Sequence, residues 1–138
     1  MDDIELHRGL VDRVGSYYDL NTPALIIDLD AMDRNIAAMA ALIQSHDRKL
    51  RPHSKTHKSV DIAKRQIAHG AVGQCCAKIG EAEVMVDAGI DGVLITSPFA
   101  SSTAIARLVC LAKRAEGLIV TIDNLDVTGK IIDALEEA

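Results

Sequence analysis

Apolar residues in this chain fall into short unbroken runs, and between the runs they recur at helical spacing. The runs at 24–29, 71–77, 92–96 and 118–122 predict strands, the first by its abrupt start and β-branched content. A further strand is expected through Lys49, Leu50 and Arg51, ending at Lys55. After the first run, Asp30 is a candidate N-cap for a helix carrying Ile36, Met39, Ala40 and Ile43 to about Ser45. Ser59 then caps a helix with Ile62, Ala63 and Ile67, closed by Gly70 in the left-handed position after the last turn. Glu81 and Glu83 are placed in the first turn of a helix through Val84, Met85 and Ala88, which Gly89 stops. Ser101 or Ser102 caps the next, with Ile105, Leu108, Val109 and Ala112, and Gly117 is expected to end it. Asn124 caps the last, through Ile131, Ile132 and Leu135.

Strands that are apolar throughout, instead of alternating, belong to parallel sheets covered on both faces or closed into a barrel. From the Lys55 strand onward there are about four βα units, preceded by one extra strand and helix, with residues 1–21 as a polar lead-in. The fold class expected is therefore α/β, half of an eightfold (β/α)8 TIM barrel. In such folds function gathers at the carboxyl ends of the strands. Here those ends carry Lys55 and Thr56, Lys78, Thr96 and Ser97, and Asp123 and Asn124.

Composition narrows the picture. An apolar fraction of 49% with 25% charged residues is that of a globular protein. Phe99, Tyr17 and Tyr18 are its aromatic residues, so the core must be aliphatic and stacking platforms for single-stranded nucleic acid are missing. A net charge of −5 argues against nucleic acid as a partner. The three cysteines, Cys75, Cys76 and Cys110, read as reduced residues of a cytoplasmic protein. Asp2, Asp3 and Glu5 occupy the start without an apolar signal core, and no run is long enough to span a bilayer, so no membrane partner is expected.

The densest chemistry lies in Arg51-Pro52-His53-Ser54-Lys55-Thr56-His57-Lys58. Pro52 disfavours a helix across this point, so Lys55 should stand where a strand runs into a loop. Like charge from Arg51, Lys58 and two histidines, together with burial, would favour a neutral amine there. A neutral amine is what Schiff-base chemistry on a carbonyl requires. His53 and His57 are four apart, a metal-binding spacing only on a helix; on an extended segment they stand roughly 13 Å apart, so no metal site is assigned to them. Adjacent Cys75 and Cys76 point to opposite faces of a strand and are read as packing residues.

The stretch from Thr22-Pro23-Ala24-Leu25-Ile26-Ile27-Asp28 through the Pro52-His53-Ser54-Lys55-Thr56-His57-Lys58 signature to Cys75-Cys76-Ala77-Lys78 and Glu81-Ala82-Glu83 resembles the N-terminal half of D-threonine aldolase and D-serine dehydratase-like enzymes. These are fold-type III, alanine racemase-like enzymes using pyridoxal phosphate. The resemblance implies that Lys55 forms the Schiff base with the cofactor, and that residues 22–138 are the N-terminal part of a cofactor-binding barrel whose other half and β-domain are absent. His53, two residues before Lys55, is expected to share its face and contact the pyridoxal ring. The activity implied is a lyase cleaving D-β-hydroxy-amino acids to glycine and an aldehyde. The alternatives are a D-serine or 3-hydroxyaspartate dehydratase, a racemase of the same fold, or a non-catalytic pyridoxal phosphate-binding protein. A divalent metal, Mn or Zn, is implied for the full-length enzyme, with its ligands outside this chain. A homo-oligomer, a dimer, is expected, and the 138 residues alone are expected to be inactive.

Overall fold

The computed structural model describes residues 2–138, in two compact units, residues 1–32 and 33–138. In the first, helix α1 (Asp3–His7) is capped by Asp2, whose carboxylate accepts the Glu5 N–H at 2.8 Å. Single 3-10 turns follow at Arg8–Leu10 and Ser16–Asp19. They are tied by the Arg13–Asp19 ion pair and by the Asn21 N–H, which donates to His7 Nε2 at 2.8 Å.

The expected strand at 24–29 does not form. Its backbone is irregular, Leu25 is 95% exposed, and among the described residues no ladder partner lies beside it. A strand without a partner gains none of the pairing that defines it. The helix also starts earlier than expected. Asp28, not Asp30, takes the N-cap, its Oδ1 accepting the Ala31 N–H at 2.9 Å, and α2 runs Leu29–Ser45.

The second unit is built on a parallel sheet in the order β1 (Cys75–Cys76), β2 (Leu94–Ile95), β3 (Ile119–Val120). Cys75, Leu94 and Ile119 are in register, as are Cys76, Ile95 and Val120. The Lys55 segment joins the outer edge of β1 through a parallel bridge between His53 and Cys75. The regular strands are shorter than expected because the chain departs from extended geometry at their amino ends. Gly73 has φ +144° and Gly92 φ +64°, and a Cβ on Gly73 would sit 2.0 Å from the Gly92 carbonyl oxygen. The two backbones approach so closely that only glycine fits. Single bonds, such as Val72 N–H to Leu50 O at 2.9 Å, extend the pairing past the regular ladder.

Helices α3 (Val60–Ala68), α4 (Ile79–Asp87), α5 (Ser102–Ala112) and α6 (Leu125–Glu136) alternate with the strands. Ser59, Ser101 and Asn124 cap α3, α5 and α6 as expected, each accepting a backbone N–H of the first turn. Gly70 and Gly89 follow α3 and α4 with φ of +94° and +78°. Gly117 does not end α5. That helix closes at Ala112, where the Arg114 guanidinium donates to the Cys110 carbonyl at 2.9 Å and to Asp87 on α4 at 2.8 Å. Glu83 lies beyond the first turn of α4 and pairs instead with Arg107 of α5.

All four of these helices pack on one face of the sheet. Cys76, Ile95 and Val93 point into an aliphatic core with Ala63, Met85, Leu108, Leu111 and Ile131. The opposite face bears Cys75, Leu94 and Ile119, all partly exposed, so it is not covered by this chain's helices as a two-sided α/β sheet would be. Alanine should act with opposite sign at two glycines. Gly92→Ala is expected to destabilise by about 3 kcal/mol, whereas Gly129→Ala, inside α6 with nothing within 4 Å of the added methyl, should stabilise by up to about 1 kcal/mol. Urea unfolding of the two variants checks both signs.

Candidate functional site

The side chains singled out by the sequence meet at the carboxyl end of the sheet. After the His53 bridge the chain turns tightly, with the Lys58 N–H donating to the Ser54 carbonyl at 2.7 Å and the His57 N–H at 3.2 Å. Lys55 therefore rides on a turn, where an extended strand end was expected. Ser54, 1% exposed, anchors the turn twice to one acceptor: its N–H reaches the Cys75 carbonyl at 2.8 Å and its Oγ the same oxygen at 3.0 Å.

His53 and Lys55 do not lie side by side on a common strand face. Instead the Lys55 N–H donates to His53 Nδ1 at 3.2 Å. A ring nitrogen that accepts carries no proton, so the proton of this imidazole is on Nε2. Nε2 lies 3.2 Å from Thr96 Oγ1 and donates to it, while the Thr96 hydroxyl donates to the Cys76 carbonyl at 3.1 Å. The four groups form one directed chain from the Lys55 backbone to the sheet. Thr96 stood among the strand-end residues in the sequence without a role; its partner lies 43 positions away, and no local pattern links them.

The crowding of cations around Lys55 is also relieved. Lys58, with φ +49°, turns its ammonium to Glu81 at 3.2 Å, and Arg51 Nε donates to the Gly92 carbonyl at 2.8 Å. Lys55 itself is exposed, so the buried, cation-rich surroundings expected of it are not formed by these residues. Among the described residues its Nζ has no hydrogen bond or ion pair. Lys78 is the N-cap residue of α4 but caps with its backbone alone.

Glu81 is half sheltered at the start of α4. Burial raises its pKa, but the Ala77 N–H at 2.8 Å and the Lys58 ammonium outweigh this and hold the carboxyl below its usual range. The Cys75 and Cys76 thiols are both pushed up, foremost by burial, which suits packing residues and not nucleophiles. Cys76 is fully buried and lies 3.4 Å from Ser54 Oγ.

Comparison with known proteins bears on the whole of the second unit. The description "Alanine racemase, N-terminal domain" matches residues 27–138. The chain belongs to the alanine racemase N-terminal domain family. Within it, the chain is similar to 3-hydroxy-D-aspartate aldolase of Paracoccus denitrificans (strain Pd 1222), at 41% identity over 78% of this chain and 28% of that protein. It is 40% identical to D-threo-3-hydroxyaspartate dehydratase of Delftia sp. (strain HT23), over 77% of this chain and 28% of that one. The crystal structure of D-threonine aldolase from Filomicrobium marinum superposes with a TM-score of 0.83 and 47% identity, covering 86% of this chain and 32% of that one. The chain thus spans about a third or less of the relatives it matches.

In this alanine racemase N-terminal domain the second histidine of the 51–58 stretch, His57, has different partners from His53. The His57 Nδ1 accepts the Ser59 N–H at 3.0 Å, at the N-cap of α3, and its Nε2 is buried without a partner. Burial lowers the His57 pKa below 6.5, more than the Ser59 bond opposes it. Since the folded value is the lower one, the contribution of a neutral His57 to stability is complete above pH 6.5 and is lost as pH falls toward the folded value. Melting curves between pH 7 and about pH 5 should therefore show a midpoint that falls with pH, and His57→Gln should flatten that slope.

Proposed function

We propose that residues 22–138 are the N-terminal part of a pyridoxal phosphate-dependent lyase acting on D-β-hydroxy-amino acids, with Lys55 as the residue that holds the cofactor. The observation that carries this is the different fate of the two signature lysines: Lys58 is engaged by Glu81, whereas Lys55 Nζ is exposed and unpartnered on a backbone fixed to the sheet. An aldehyde cofactor needs such an amine. Four helices on one face of a parallel sheet, with the other face free of them, agree with an arc of a (β/α)8 barrel whose strand ends carry the site. Four βα units, the first contributed by the Lys55 segment, make up that arc.

When bound, pyridoxal phosphate supplies an electron sink for the bond broken at the substrate α-carbon. The chain's own part is positional. Lys55 would hold the cofactor and release it to the amine of the D-amino acid, and the His53 ring, both of whose nitrogens are occupied within the chain, would contact the pyridine ring. Aldol cleavage is put ahead of dehydration, in line with the names of the aldolase relatives. The dehydratase is almost as similar, so the products must be measured. A Mn or Zn ion is expected of such an enzyme, and no group of three or more His, Cys, Asp or Glu that could hold it occurs among the described residues. A dimer and a cytoplasmic setting, where Cys75, Cys76 and Cys110 stay reduced, complete the reading. No described helix is long and apolar enough to cross a membrane.

Incubation with pyridoxal phosphate, borohydride reduction and peptide mapping test the assignment. The stable adduct should map to Lys55 and vanish in Lys55→Ala. An adduct on Lys58, or one untouched by Lys55→Ala, would overturn it. In the intact enzyme, D-threonine should yield glycine and acetaldehyde; a keto acid would instead assign the dehydratase activity.

A further inference from the structure

The signature loop and the start of α4 are joined by one carboxylate. Glu81, the third residue of α4, accepts the Ala77 N–H at 2.8 Å and faces the Lys58 ammonium at 3.2 Å, its own side chain only 15% exposed. Reaching back from the third helical position to backbone N–H groups at the helix start is half of a capping box. The reciprocal half is missing, because Lys78 has no side-chain cap bond. Lys58 takes up the remaining valence of the carboxylate from across the chain.

The price falls on the backbone of Lys58. Its φ of +49° lies in the left-handed region, uncommon for a residue with a Cβ. That conformation closes the turn onto the Ser54 carbonyl and aims Lys58 toward α4. A cavity lined by Ser54, Lys58, Gly80, Glu81, Val84 and Met85 adjoins the pair.

We propose that Glu81 is a positioning residue for Lys55: paired with Lys58, it pins the turn that carries Lys55 to the first turn of α4. This rests on Lys55 being the cofactor lysine for its consequence, but not for its existence. Lys55 is thereby held on both sides, by its own N–H bond to His53 on one and by the Lys58–Glu81 clamp on the other. Because the carboxyl is held below its usual range, the clamp persists at mildly acid pH.

Two variants separate the ion pair from other roles of these residues. Glu81→Gln keeps an oxygen for the Ala77 N–H and removes the charge; Lys58→Asn keeps a residue tolerant of positive φ and removes the cation. Trypsin cleavage after Lys55 reports the turn without any cofactor. Both variants should be cut roughly fivefold faster than the parent sequence, the double variant no faster than either single one, with an unchanged melting midpoint. After pyridoxal phosphate and borohydride, label at Lys55 should fall and label on other lysines should not. Cleavage rates unchanged in both variants would overturn the clamp whatever the labelling shows. Faster cleavage with no label on Lys55 in the parent protein would uphold the clamp and sink the cofactor assignment instead.

Discussion

Everything that makes this site depends on the carbonyl of Cys75. It accepts two donors from Ser54, the backbone N–H at 2.8 Å and the hydroxyl at 3.0 Å, and so fastens the turn to the edge of the sheet at the last paired position. A backbone oxygen has two lone pairs, and here both are used on one residue. Ser54 is buried and could not leave its hydroxyl unsatisfied without cost. Its neighbours Lys55 and Thr56 are exposed.

The sheet owes its position to the opposite kind of constraint, a close approach that forbids side chains. Gly73 and Gly92 bring the backbones of adjacent units into contact at the amino ends of β1 and β2, and Arg51 reads the same spot by donating to the Gly92 carbonyl. The base of the lysine segment is thus held at Gly92 and its tip at Cys75. Between these two points lie Pro52, which cannot donate and need not, and His53, whose bridge sets the register. Packing on the helical face then adds bulk stability through Ile95, Leu108 and Leu111.

Most of the helical architecture was legible in the residues, because caps and stops are local. Ser59, Ser101, Asn124, Gly70 and Gly89 each act through bonds within one turn. The misread ends have non-local causes. Gly117 looked like the stop of α5, but Arg114 closes that helix through Asp87 of α4, 27 residues away. The run 24–29 has the residues of a strand and lacks the partner, which no local pattern can supply. In the candidate site, the packing role of Cys76 could be read directly, whereas the partners of Thr96 and Glu81 became visible only once 43- and 23-residue separations were folded into contact.

The direction of the hydrogen bonds around His53 limits what it can do in the proposed chemistry. A general base needs a free lone pair, and Nδ1 spends its own on the Lys55 N–H; a general acid needs a proton to give, and the Nε2 proton is held by Thr96 Oγ1. Under the proposed function, orientation is the role compatible with both bonds. The same logic separates the two histidines of the signature. His57 also accepts at Nδ1, from Ser59, but its Nε2–H is buried without an acceptor, so it contributes through the cap of α3 and through its neutrality, not through a relay.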